Sequence, residues 1–140
     1  MDHNLYNEII MDHYLMPNHK YDIDDYDYEQ KGINPSCGDE ITVKIKFDNN
    51  VIKDIAFTGK GCAISQASTS IMIDLLIGKD VKEANILIKD FLDMLNNEKT
   101  NIDNLGDAQA FSNIANMPSR IKCANLAWRS IKNIIKDKNV

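Results

Sequence analysis

The stretch Ile41-Thr42-Val43-Lys44-Ile45-Lys46-Phe47 alternates apolar and polar residues without a break. Successive side chains of a strand point to opposite faces. The alternation therefore predicts a half-buried strand, with Ile41, Val43, Ile45 and Phe47 inward and Thr42, Lys44 and Lys46 on a wet face. Asp48-Asn49-Asn50 is turn chemistry. Residues 51–58 read as a second strand, less cleanly alternating, with Ile55 and Phe57 on one side. The two are expected to form a hairpin. Gly59-Lys60-Gly61 then gives a flexible break, and Cys62 follows it directly.

Beyond this point the period changes from two to the helical spacing. From Ser65, the rows Ala67, Ile71, Leu75 and Ile64, Ser68, Met72 predict a helix that Gly78 stops. Asp80 reads as the N-cap of the next helix, whose stripe is Val81, Ala84, Ile88, Phe91, Leu92 and Leu95. Residues 96–106 are Asn-rich and read as a loop, and 107–116 as a short helix. Pro118 opens a final helix at a position where proline is tolerated, with Ile121, Ala124, Trp128, Ile131 and Ile135 on its buried face. Its basic run, Arg129, Lys132, Lys136 and Lys138, reads as a wet face. On the N-terminal side, residues 4–15 read as a short amphipathic helix stopped by Pro17 and Asn18. Residues 22–29 hold five acids and no base. They read as a solvated loop or, more sharply, as a docking strip for a basic partner.

These elements describe one domain over residues 1–140, within the usual size of about 100–200 residues. At 44% hydrophobic and 26% charged, the composition is that of a globular protein and excludes general disorder. The longest apolar run is cut at Asp74, far short of the roughly 20 residues of a membrane span. The start Met1-Asp2-His3-Asn4 lacks the pattern of a secretory signal, so a cytoplasmic location is expected. A net charge of −5 is the wrong sign for a general nucleic-acid binder.

The chain has three cysteines, Cys37, Cys62 and Cys123. An odd number cannot all pair, and a reducing compartment favours free thiols or thiolate ligands. The alternative for each is a small buried hydrophobe. Against it, all three sit at element edges beside Gly, Pro or charge. Cys37 lies in a turn just before the first strand, and Gly38 relaxes the backbone so that Cys37 and Asp39 can bend toward one point. Cys62 lies between a strand and a helix. Cys123 lies about one turn into the last helix, where the helix N-terminus, Arg120 and Lys122 would favour thiolate. Three thiolates and Asp39 make four ligands, the number a tetrahedral zinc site needs, and iron–sulfur ligation uses similar donors. Arg120, on the face of Cys123, has two readings: a hydrogen-bond donor to a thiolate or to Asp39, or a solvated helix charge. His3, His13 and His19 read as outside the ligand set.

Three blocks carry a family resemblance: Asn34-Pro35-Ser36-Cys37-Gly38-Asp39; Gly59-Lys60-Gly61-Cys62-Ala63-Ile64-Ser65-Gln66-Ala67-Ser68; and Arg120-Ile121-Lys122-Cys123-Ala124-Asn125-Leu126-Ala127-Trp128. In order and over nearly the whole chain, they resemble the cysteine blocks of the NifU/IscU-like iron–sulfur cluster assembly proteins. The start from Tyr6 to Asn18 also fits. The chain looks like the SufU branch rather than the IscU branch. Lys122 stands where IscU proteins carry His, Asn116-Met117-Pro118-Ser119-Arg120 stands where they carry Leu-Pro-Pro-Val-Lys, and the interval from Cys62 to Cys123 is longer.

The resemblance implies an α+β fold, a small mainly antiparallel β-sheet packed against several α-helices, with a metal site at one exposed end. It implies Zn²⁺ held by Cys37, Asp39, Cys62 and Cys123, or alternatively iron or a [2Fe–2S] cluster. It implies a zinc-dependent sulfurtransferase that accepts persulfide sulfur from a cysteine desulfurase of the SufS type. By this analogy Cys37 is the acceptor, freed when a histidine of the partner replaces it on zinc, and the sulfur passes to a SufBCD-type assembly complex. The alternative function is a scaffold that itself assembles and transfers a [2Fe–2S] cluster.

Overall fold

The computed structural model describes residues 3–138, so Met1 and Asp2 of the N-terminal reading lie outside the described residues. Helix α1 (His3–Leu15) is followed by strands β1 (Tyr28–Asn34), β2 (Asp39–Asp48) and β3 (Val51–Lys60). Helices α2 (Ala63–Leu76) and α3 (Val81–Leu95), a 3₁₀ segment (Asp103–Asn116) and the long helix α4 (Pro118–Lys138) complete the order. The strands form one antiparallel sheet in the order β1-β2-β3. This is the expected α+β architecture.

The predicted hairpin is β2–β3. Asn49 takes the left-handed conformation at φ 55°, which asparagine tolerates better than most residues, and closes the turn. Pairing of Val43 with Phe57 and of Ile45 with Ile55 puts the apolar rows of both strands on one face, with an irregularity at Lys46/Phe47. That face is the floor of the core. Ile41, Val43, Ile45, Ile52, Ile55 and Phe57 are all at most 1% exposed, each worth about 1.5–3 kcal/mol of burial. Helix α4 lies across β1 and β2, α2 lies against β3 and α4, and α1 and α3 flank this pair on the outside.

Strand β1 goes beyond the sequence reading. Tyr28 and Glu29 belong to it and not to a loop, and Cys37 sits in the turn between β1 and β2 and not ahead of a first strand. The segment Tyr-Glu-Gln-Lys-Gly-Ile-Asn is polar because β1 is an edge strand whose outward residues Glu29, Lys31 and Ile33 are exposed. Hydrophobic alternation has little to report there. The other edge, β3, is covered where Phe57 N–H donates to the His19 carbonyl at 3.0 Å.

The acidic segment before β1 is not a free strip. Asp22 pairs with Lys44 at 2.8 Å, Asp25 and Asp27 pair with Lys46 at 3.1 and 3.3 Å, and Phe47 N–H donates to Asp27 at 2.8 Å. It neutralises the polar face of β2 from within the chain.

Asp80 caps α3 as expected, its carboxylate accepting from Glu83 N–H at 2.8 Å. The stretch read as loop up to 106 becomes helical already at Asp103, as two 3₁₀ helices meeting at a kink at Gly106, where φ is 54°. Leu105, Ala108, Phe111 and Ile114 of this segment are buried, so packing onto α3 and α4 orders it despite its polar composition. No helix of the described residues is long and apolar enough to cross a membrane.

Phe91 of α3 stacks on Trp128 of α4 with ring centroids 3.8 Å apart and planes 6° off parallel, both rings fully buried. Phe91→Ala is expected to destabilise the fold by about 3–5 kcal/mol. Trp128 is the sole tryptophan, so urea unfolding followed by its fluorescence reads this directly. A loss below about 1 kcal/mol, within the range of ordinary surface changes, would show that the stack does not hold the two helices together.

Candidate metal centre

Asp39 is the first residue of the inward row of β2, in phase with Ile41, Val43, Ile45 and Phe47. Strand alternation therefore turns its carboxylate toward the core, where it is 1% exposed. An unpaired carboxylate there would be costly. Four groups answer it. Cys62 N–H and Ser65 Oγ donate to Oδ1 at 2.8 and 3.0 Å, and Asn34 Nδ2 donates to Oδ2 at 3.2 Å. The Cys123 thiol is the fourth. Burial pushes the Asp39 carboxyl up, but these donors outweigh it and hold it below the usual carboxylate range.

The residues come together for local reasons. Asn34 and Asp39 are register partners across β1 and β2, so both project to the same face. The connecting turn reverses at Gly38, whose φ of +69° suits glycine, and carries Cys37 back over the strand end. β3 ends at the same end of the sheet, because Glu40 pairs with Lys60. Cys62 thus follows within reach, as the N-cap of α2, its Sγ accepting from Ser65 N–H at 3.5 Å. Gly61 leaves room for the Asp39 and Ser65 side chains. A Cβ on it would stand 2.7 Å from Asp39 Oδ1 and would also collide with Ser65 Oγ. Gln66 holds this loop from behind, donating to the Gly61 carbonyl at 2.8 Å and accepting from Lys20 at 2.6 Å.

Cys37 Sγ, a carboxylate oxygen of Asp39 and Cys123 Sγ lie within 4.8 Å of one another. The two sulfurs approach to 3.0 Å, and Asn34 Nδ2 also donates to Cys123 Sγ at 3.4 Å. Cys62 is not in this group of three; its thiol adjoins that of Cys123, and it is turned toward its capping role. Metal–sulfur and metal–oxygen bonds of about 2.0–2.3 Å let three such donors surround one ion, with Cys62 the nearest further sulfur. The donor set, soft thiolates plus one carboxylate, fits zinc and also fits iron–sulfur ligation.

Cys123 departs from the sequence expectation. Burial, reinforced by the neighbouring Cys37, Cys62 and Asp39 groups, pushes its thiol up rather than down. The side chain is 1% exposed, whereas Arg120 and Lys122 are exposed, and among the described residues Arg120 has no ion pair or side-chain hydrogen bond. The helix N-terminus and these cations do not outweigh desolvation. A bound divalent cation would reverse the balance. His13 bonds Ser70 at 2.9 Å and His19 bonds Asp74 at 2.9 Å, both on the α1–α2 side and away from the thiols. Asn34, Ser65 and Gln66 are the site residues to which sequence reading gave no role.

Removing a group that orients a metal ligand costs about 10- to 100-fold in affinity. Gly61→Ala, which displaces the Asp39 carboxylate or Ser65, and Asn34→Ala, which unties Asp39 from Cys123, should each weaken cobalt(II) binding by at least about tenfold. Far-UV circular dichroism should stay unchanged. Cobalt(II) titrations that overlay wild type for both variants would show that neither residue positions the ligands.

The NifU-like N-terminal domain profile matches residues 5–137. The chain is 41% identical over 134 residues to the iron–sulfur cluster assembly scaffold protein IscU of Streptococcus pyogenes serotype M1, covering 95% of this chain and 84% of that protein. It is 39% identical over 137 residues to the zinc-dependent sulfurtransferase SufU of Bacillus subtilis strain 168, covering 96% and 92%. Among solved structures, one from Fervidobacterium islandicum AW-1, proposed as an iron–sulfur cluster assembly scaffold protein for the SUF system, superposes with a TM-score of 0.87 at 37% identity. The match covers 94% of this chain and 97% of that one.

Proposed function

The chain belongs to the NifU-like N-terminal domain family of iron–sulfur cluster assembly proteins, and from that membership and the site geometry we propose that it is a zinc-dependent sulfurtransferase. It would take persulfide sulfur from a cysteine desulfurase of the SufS type and pass it to a SufBCD-type assembly complex in the cytoplasm. The observation that carries this reading is the gathering of Cys37, Asp39 and Cys123 at one end of the sheet, with Cys62 beside them.

Cys37, Asp39, Cys62 and Cys123 would hold the zinc ion. When bound, it would keep the thiols deprotonated at neutral pH while damping their reactivity. Cys37 is the acceptor in this reading, and the surroundings of the three thiols support it. Cys123 is buried within α4, and Cys62 is engaged as the cap of α2. Cys37 and Cys62 are both half-buried, and Cys37, in the β1–β2 turn, is the one whose thiol caps no helix. Its thiolate attacks the terminal sulfur of the donor persulfide. The new S–S bond forms on Cys37 as the donor S–S bond breaks, and the donor cysteine leaves as thiolate with the electron pair. No external oxidant is needed. Arg120, exposed one turn before Cys123, is free to donate to a thiolate or to the persulfide anion once a partner covers the site.

The second reading is a scaffold that assembles a [2Fe–2S] cluster, favoured by the name of the Streptococcus pyogenes relative. Elemental analysis of anaerobically purified protein separates the two. Zinc near one per chain, lost in Asp39→Ala, is expected for the sulfurtransferase. Iron with visible absorption bands after reconstitution, and no zinc, would favour the scaffold.

Sulfur transfer is read by an alkylation gel shift after incubation with desulfurase and cysteine. Cys37→Ala should abolish the shift and Arg120→Ala should slow it, with the zinc content of Arg120→Ala unchanged. Full transfer to Cys37→Ala would overturn the assignment of the acceptor.

A further inference from the structure

The chain carries more acids than bases, yet its cations are unevenly neutralised. Lys31, Lys44, Lys46 and Lys89 all pair with carboxylates. Arg129, Lys132 and Lys136 are exposed on α4 and have no ion pair among the described residues. They are not scattered. Spaced three and four residues apart, they form one row about 10 Å long on a single face of the helix. That row is one wall of a groove of about 930 Å³ between α3 and α4. Lys89 stands on the opposite wall, its charge offset by Asp93 at 2.6 Å. Buried Ile88 and half-buried Leu92 lie at the bottom.

We propose that this groove docks an acidic amphipathic helix of a partner protein. Two helices flank a largely polar groove whose accessible apolar surface is Leu92 and the aliphatic stems of the basic row, so an incoming helix would be held by charge with a narrow apolar contact beneath it. The three cations repeat at helical rise, so carboxylates at i, i+4 and i+7 of an incoming helix can meet them in register. A single phosphate group would need the cations to converge on one point, and they are strung in a line instead. No aromatic residue lines the groove, so it lacks the stacking platform of a single-strand nucleic-acid site. The row begins six residues beyond Cys123, about 9 Å further along α4, so a helix held here leaves the thiol end open to a second protein. The inference does not rest on the sulfurtransferase reading.

The test uses the full chain and a fluorescein-labelled designed peptide with Leu on one helical face and Glu at i, i+4 and i+7 beside it. Controls are a scrambled peptide of the same composition and the same peptide with Lys for Glu. Fluorescence anisotropy should show binding of the acidic peptide that weakens with salt. Amide shifts in ¹H–¹⁵N spectra should be confined to α3 and the C-terminal half of α4. The triple variant R129E/K132E/K136E, which alters only exposed side chains, should bind at least about tenfold more weakly with an unchanged circular dichroism spectrum. Equal binding of the scrambled peptide or of a single-stranded oligonucleotide, or shifts elsewhere on the chain, would overturn the proposal. So would concentration-dependent dimerisation in sedimentation equilibrium that the triple variant abolishes, which would give the groove to a second copy of this chain.

Discussion

One buried carboxylate organises this molecule's chemical end. Asp39 is inward because the alternation of β2 makes it so, and nothing about a core position suits a charge. Its stabilisation recruits donors from β1, from the start of α2 and from α4: Asn34, Cys62, Ser65 and Cys123. Each element that answers Asp39 also brings a thiol or supports one. The arrangement that keeps a charge tolerable inside the fold is the arrangement that gathers the sulfurs.

The charge pattern elsewhere shows the same logic at lower stakes. The acid-rich segment before β1 folds back over Lys44 and Lys46, so the outer face of the sheet is neutralised by the chain itself. Exposed pairs of this kind contribute little each, roughly 0–1 kcal/mol, and serve more to place the segment than to hold the fold. On α4, by contrast, Arg129, Lys132 and Lys136 share one face and have no ion pair among the described residues.

The hairpin, the cap at Asp80, the helix start at Pro118 and the faces of α3 and α4 were legible because packing and local chemistry agree there. Strand β1 was not. Its sequence carries Glu, Gln, Lys and Asn because it is an edge, and only pairing with β2 makes it a strand. Missing β1 hid Asn34, whose partnership with Asp39 exists only through the register. The ligand candidates were legible from cysteine placement and from the resemblance of three blocks. The upward push on the Cys123 thiol was not, since burial in a helix that looks exposed at its start is a tertiary property. Of the 3₁₀ segment, the helix over 107–116 was legible, and only residues 103–106, read as loop, were missed because packing overrode a polar composition.

Cys37 and Cys123 are 86 residues apart, and the second lies in the last helix. During synthesis, therefore, the chain leaves the ribosome with Cys37, Asp39 and Cys62 long before Cys123 can join them. The set of sulfurs is complete only once α4 has been made and has docked on the sheet. An ion held by all of these donors has to wait for that helix, which ties the fidelity of metal choice to the docking of α4.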